Sequence, residues 1–183
     1  MLFRSDQPRQ LARLLGYSFT FHRLLNIGIG GYGIGIASRQ KPSTIRRHLL
    51  PSKKEQRGLL ELEFNSEIPF LVFCTHWGLD TVERKGQAER CVEILSQVSL
   101  PFVFCGDLNA SASSEEVTLL RERARLLDVG LELGQPTFPS NSPKERIDYI
   151  FCSSEWHLET SQVVSTLASD HLPLFADFSR ETI

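Results

Sequence analysis

Residues 101–110 read PFVFCGDLNA, and the fold turns on them. Phe102, Val103, Phe104 and Cys105 form an unbroken apolar run of strand-favouring or small residues, which predicts a buried β-strand. The run ends in Gly106 and then a carboxylate, Asp107, and an amide, Asn109. In an extended chain residues two apart point the same way, so both polar groups leave the strand on one side. A core strand that delivers two polar groups to one place invites a search for others like it.

Three more segments do the same. LVFCTHWGLD (71–80) sets His76 just beyond an apolar strand, and ERIDYIF (145–151) embeds Asp148 in one. LASDHLPLF (167–175) places Asp170 and His171 immediately before another. Each has an ordinary account when taken alone. Asp107 and Asn109 suit an Asx-turn, and His76 suits a hydrogen-bonded core histidine. Asp148 suits an ion pair with Arg146, and Asp170 suits a turn cap before Pro173. Together they are harder to dismiss, because burying several carboxylates near one another without a cation is costly. A divalent metal with a phosphate supplies the missing charge. Magnesium suits carboxylate and amide oxygens, and water bound to a metal is a ready nucleophile.

Around these strand ends the chain alternates between helix and strand patterns. Leu11, Leu14 and Leu15 in QPRQLARLLGY (7–17) fall at helical spacing before a stop at Gly16. FTFHRLLNIGIGGYGIGIASRQKP (19–42) is glycine-rich and then strand-like, and PSTIRRHLLPSKKEQR (42–57) is expected to be a polar, basic connection. Strands are predicted at 59–64, 69–75, 102–106, 146–153 and 171–178. Helices are predicted at 81–98, with Ala88, Cys91, Val92, Leu95 and Val98 on one face, and at 113–130. The second helix carries Ser113 and Glu116 spaced as a capping box and stops at Gly130. This order predicts an α/β or α+β layered fold. Gly28-Ile-Gly-Gly-Tyr-Gly33 matches the glycine pattern of dinucleotide loops, but that motif needs a helix after it. IGIASRQKP follows instead, so a turn feeding a strand is the better reading.

Composition excludes several classes. A chain of 183 residues is expected to form one domain with a core that needs no disulfide or metal to fold. The hydrophobic fraction of 41% and charged fraction of 23% are those of an ordinary globular protein. A net charge of −2 argues against a general polyanion binder. Arg46, Arg47, His48, Lys53, Lys54 and Arg57 form a basic cluster suited to phosphate contact, though a solvated loop explains it more simply. The four cysteines, Cys74, Cys91, Cys105 and Cys152, lack metal-ligand spacing and read as small buried thiols. MLFRSDQPRQ is too polar for a secretory leader, and a membrane-spanning apolar run is lacking, so a cytoplasmic setting is expected. Trp77 fits either the core or a substrate pocket.

GDLNA, the TH of CTHWGLD followed by ERKGQAE, RIDYIF and SDHLPL together resemble the endonuclease/exonuclease/phosphatase superfamily, the DNase I-like proteins. LARLLGY, YGIGIASRQKP and GQPTFPSNSPKERIDYIF fit its order as well, and the resemblance runs from about Arg4 to Phe178. It implies a four-layer α/β/β/α sandwich with the active site at one edge of the packed sheets. It also implies a magnesium-dependent phosphoester hydrolase, with manganese as an alternative metal, acting on a phosphoester and in some members on nucleic acid. By position, His76 would polarise the scissile phosphate, Asp107 would accept a proton from the attacking water, and Asn109 would position phosphate or metal. Asp148 would orient a histidine by accepting its ring N–H. Asp170 would bind metal, with Asp107 and Asn109 beside it, and His171 would act as general base or stabilise the transition state.

The resemblance also exposes a difference. The family begins with a strand ending in a metal-binding Asn, a helix, and a strand ending in Gln-Glu, whereas the match here starts at FRSDQPRQLARLLGY. Glu55, Glu61 and Glu63 lie in the wrong places to substitute. An N-terminally shortened fold is therefore expected to bind magnesium more weakly. It is also expected to expose a sheet edge or apolar surface through which the chain self-associates. A second reading follows, in which the chain is a catalytically impaired member that binds a phosphate-bearing ligand or a protein.

Overall fold

Alternation sorts the central strands between two faces. In β5 (Phe70–His76) Leu71, Phe73 and Thr75 are buried, while Phe70, Val72, Cys74 and His76 on the opposite side are partly exposed. β6 (Phe102–Asp107) repeats the pattern. The computed structural model describes residues 6–28, 30–131 and 133–180. Residues 1–5, the start of the matching stretch, lie outside them, as does Ile29 of the glycine motif.

The central sheet has six strands in the order β3-β4-β5-β6-β8-β7. Besides β5 and β6 it contains β3 (Thr44–Leu50), β4 (Arg57–Phe64), β7 (Leu127–Asp128) and β8 (Asp148–Cys152). Only the β5–β6 pair is parallel, and α2 (Thr81–Leu95) provides the crossover between its strands. The larger core cluster joins one face of this sheet (Leu59, Phe73, Phe104, Phe151) to α2 and α3 (Glu115–Arg123). Asp80 caps α2 by accepting from the Val82 and Glu83 N–H groups, and Glu116 of α3 accepts from Arg84 Nε of α2 at 2.6 Å.

The other face carries two separate two-stranded sheets. One pairs β1 (Ser18–Ile27) with β2 (Gly30–Ser38), and Leu24, Ile34 and Ile36 pack on Leu60 and Leu62. The other pairs β9 (His157–Val163) with β10 (Leu174–Ser179), held through Trp156, which contacts both Phe178 and Phe70. α1 (Gln7–Leu15) contacts β1 and β2 and ends at Gly16 in the left-handed region, φ 69°. The layers thus run helix, sheet, paired hairpins, helix, the α/β/β/α order that the resemblance implies.

Several sequence expectations fail for identifiable reasons. The basic stretch 42–57 is not a connection: Thr44–Leu50 forms strand β3 at the sheet edge. Its charges are paired across to β4, with Arg46 and His48 both contacting Glu61. The helix expected over 113–130 covers only Glu115–Arg123, and its N-cap is Ser114 rather than Ser113. Glu116 serves Arg84 instead of closing a capping box, and Arg125 at φ 53° turns the chain into β7. Helix α2 stops at Leu95, short of 98. Strand β9, largely polar and exposed, gave no alternating signal. The leucines of α1 face outward, where only Ala12 is buried.

The glycines of β2 serve close packing. A Cβ at Gly33 would stand 2.0 Å from the His22 carbonyl oxygen, so this register against β1 requires glycine. A strand follows the motif, as the sequence predicts. Among the described residues no helix is long and apolar enough to cross a membrane.

Candidate active site

Sheet register assembles the site. His76 closes β5 and Asp107 closes β6, and the two are direct partners in the parallel ladder. Asp107 is in turn the partner of Asp148, the first residue of β8, in the antiparallel ladder on its other side. Three polar side chains from three neighbouring strands therefore stand at one sheet end, at the ~4.8 Å spacing of adjacent strands.

His171 arrives from the loop before β10. Its Nδ1 lies 2.8 Å from Asp148 Oδ2, and its Nε2 lies 3.9 Å from Asp107 Oδ2. On the far side of Asp107, His76 Nε2 is 3.4 Å from the same oxygen. Asp107 thus stands between two imidazoles. Asp107, Asp148 and His171 each offer a ligand atom within 4.8 Å of one another, the one such group among the described residues. Two carboxylates and an imidazole form a donor set that accepts a divalent cation, and their proximity leaves negative charge for it to balance.

The loops that hold these groups are tied by their backbones. Thr137 is buried; its Oγ1 accepts from the Asp148 N–H at 3.4 Å and its carbonyl from the Leu172 N–H at 2.7 Å. The Ser140 N–H donates to the Asp170 carbonyl at 2.7 Å, and the Phe138 ring packs against His171 with centroids 4.7 Å apart. One segment therefore fixes both the β8 start and the histidine loop. On the other side, Asn109 Nδ2 donates to the Trp77 carbonyl at 2.9 Å, and the Trp77 N–H donates to the Asp107 carbonyl.

The electrostatics differ between the two histidines. Burial lowers the pKa of His76, with Arg57 adding to the effect against the raising charge of Asp107. For His171 burial also acts downward, but the hydrogen bond and charge of Asp148, with Asp107 and Asp170, outweigh it and raise the pKa. Burial raises the pKa of Asp107, helped by the charge of Asp148 and opposed by the Asn109 N–H and the histidines. At neutral pH the site therefore holds one neutral imidazole and one that keeps its proton more readily.

The structure brings His76, Asp107, Asp148 and His171 together and sets two candidates at the margin. The Asn109 N–H bonds Asp107 Oδ1 at 2.8 Å, the Asx-turn that the sequence suggested, with Asn109 at φ 49°. Asp170 is exposed, and its Oδ1 accepts from Ser169 Oγ at 3.2 Å. Two alternatives fall. Arg146 pairs with Asp128, leaving Asp148 to His171. Trp77 is fully buried on the helix side against α2, so it lines no pocket. Sequence reasoning missed Tyr32, whose hydroxyl reaches His76 Nδ1 at 3.5 Å from β2, and Thr137. Tyr32 is a lone aromatic with a polar tip in a run of glycines, a signal that was readable; Thr137 gave none.

Comparison with known proteins gives this geometry its context. The profile of the Endonuclease/Exonuclease/phosphatase family matches residues 3–171. The chain belongs to that family. Its members are hydrolases that act on phosphoesters. No curated protein sequence matches the chain. A family member from Bacteroides thetaiotaomicron superposes with TM-score 0.83 at 20% identity, over 96% of this chain and 80% of its own. The human Nocturnin catalytic domain gives 0.79 at 20% identity, over 96% and 76%. A mannosyl-6-phosphatase from Bacteroides thetaiotaomicron gives 0.77 at 19%, over 94% and 81%. At such identities these likenesses establish the DNase I-like fold alone.

Proposed function

We propose that this chain is a divalent-metal-dependent phosphoester hydrolase of the nuclease or phosphatase type. One observation carries the reading: Asp107 lies within 4 Å of two histidines, His76 and His171, and His171 is held by a second carboxylate, Asp148. Asp107 and Asp148 would hold the metal, with Asn109 and Asp170 at its margin and His171 beside it as a proton-bearing group. Bound there, magnesium or manganese supplies positive charge to a phosphoryl oxygen and acidifies water.

The side chains divide the remaining work. Asp107 accepts the proton of the attacking water, because its carboxylate faces the open end of the strands between two donors. His76, kept neutral by burial, donates a hydrogen bond to a phosphate oxygen while Tyr32 steadies its other nitrogen. His171, whose hold on its proton Asp148 strengthens, sets its charged form against the negative charge that grows on phosphorus oxygens during attack. Asp148 orients that ring by accepting from Nδ1. A reducing compartment such as the cytoplasm agrees with four unpaired cysteines.

The test is a substrate screen with purified chain, comparing a phosphodiester, a sugar phosphomonoester and an oligonucleotide, each with magnesium and with EDTA. Turnover of at least one that requires metal and falls in Asp170→Ala supports the reading. A folded protein that turns over none of them refutes it and favours a phosphate-binding module.

A further inference from the structure

Directly beneath the His76–Asp107 pair lies a second pair that hydrolysis leaves unused. Cys74 and Cys105 are register partners on the parallel strands β5 and β6, two residues before His76 and Asp107 respectively. Side chains alternate along a strand, so all four project from the same face of the sheet. The two side chains are direct cross-strand neighbours, and Cys105 Sγ lies 3.3 Å from the Phe73 carbonyl oxygen. Adjacent strands are spaced ~4.8 Å apart, inside the ~4.4–6.8 Å range of Cα separations that disulfides bridge.

Exposure separates this pair from the other two cysteines. Cys91 and Cys152 are buried, whereas Cys74 and Cys105 are both partly exposed. The fold explains the difference. Hairpin strand β2 packs on β4 and β5, and β10 packs on β8, so β6, which carries Cys105, lies between the strands these two hairpins cover.

We infer that Cys74 and Cys105 form a reversible disulfide on exposure to hydrogen peroxide, and that this bond switches off the site two residues above. One thiolate attacks a peroxide oxygen; an S–O bond forms, the O–O bond breaks, and hydroxide leaves and takes up a proton as water. The second sulfur attacks the resulting sulfenic sulfur; the S–S bond forms, the S–O bond breaks, and a second water leaves carrying the thiol proton. Two electrons pass from the sulfurs to the peroxide. The Cβ atoms of a disulfide stand ~3.8 Å apart, closer than strand neighbours, so bonding draws β5 and β6 together under His76 and Asp107. Sites that depend on fixed geometry lose ~100-fold for a displacement of ~1 Å.

The loss of turnover rests on the hydrolase reading; the bond itself does not. The full chain is treated with hydrogen peroxide, alkylated and digested, and its peptides are weighed. The expected result is a cross-linked peptide pair containing Cys74 and Cys105, lighter by two hydrogens, restored to thiols by dithiothreitol. Cys91 and Cys152 should remain unbridged, and C74S and C105A should each abolish the cross-link. In parallel, oxidation should cut metal-dependent turnover of the wild type by ~100-fold, while C74S keeps its turnover through the treatment. Free thiols, or separate sulfinic acids at the two positions in folded protein, would overturn the disulfide. A cross-link with unchanged turnover would overturn the switch. If the reduced protein turns over no substrate, the cross-link alone decides the disulfide and the failure belongs to the hydrolase reading.

Discussion

His171 Nδ1 and Asp148 Oδ2 stand 2.8 Å apart, joining the loop before β10 to the first residue of β8. Because Asp148 is also the register partner of Asp107, this contact fixes the ring relative to the sheet itself. Asp148→Asn should therefore leave the fold intact and lower kcat by about 100-fold, the lower end of what a positioned acid–base group supplies. The lost charge and hydrogen bond should let the His171 pKa fall, so the alkaline limb of the pH–rate profile should move to lower pH. A profile that keeps its position would show that His171 is not the titrating group.

Metal should stabilise the folded chain, since the carboxylates of Asp107 and Asp148 converge in the native state alone. At magnesium concentrations of about 100 times Kd the gain is about 2.7 kcal/mol. Thermal unfolding with magnesium and with EDTA measures it. Asp107→Asn should remove most of the shift, and equal shifts in the two proteins would place the metal elsewhere.

Much of this site was legible in the sequence and some of it was not. Apolar runs that end in His or Asp announced His76 and Asp107, and a carboxylate embedded in a strand announced Asp148; their joint appearance, rather than any one of them, marked the site. The pairing of Asp148 with His171 rather than Arg146 needed three dimensions, as did Tyr32 reaching across from a hairpin. Strand β3 escaped because its charges are neutralised by Glu61 and Glu63 on the neighbouring strand, a cross-strand relation that local composition does not reveal. The end of α3 was misplaced because apolar Leu126 and Leu127 continue a helix-like pattern after the backbone has already turned at Arg125.

Gly106 is as tightly packed against neighbouring backbone as Gly33. Its φ is 149°, and a Cβ there would lie 2.0 Å from the Thr75 carbonyl oxygen. Flexible side chains can move aside, but neighbouring backbone cannot. Gly106→Ala should destabilise the protein by about 3 kcal/mol, the upper end of ordinary overpacking costs, and displace Asp107 with it. Denaturant unfolding measures the loss, and a change within about 0.5 kcal/mol, typical of an unremarkable surface position, would contradict this packing.

His22 gives the stability a pH dependence away from the site. It is buried on β1, and its Nδ1 lacks a hydrogen-bond partner among the described residues. Burial lowers its pKa, and the charges of Arg47 and His48 act the same way. The folded state therefore binds this proton less readily than the unfolded chain. The stabilisation is complete above the ordinary value of 6.5 and is lost as pH falls through the lowered folded value. The melting temperature should drop between about pH 7.5 and about pH 5.5, and His22→Gln should flatten that drop. An identical drop in the variant would assign it to other groups.

If Asp107, set between His76 and His171, works with a metal to hydrolyse phosphoesters, turnover must need both Asp107 and the metal. The most direct test is steady-state turnover of bis(p-nitrophenyl) phosphate by reduced wild-type chain with magnesium, the same chain with EDTA, and Asp107→Asn with magnesium. Turnover is expected in the first and its loss by at least about 100-fold in the other two. Equal rates in all three, from protein shown to be folded, would contradict it.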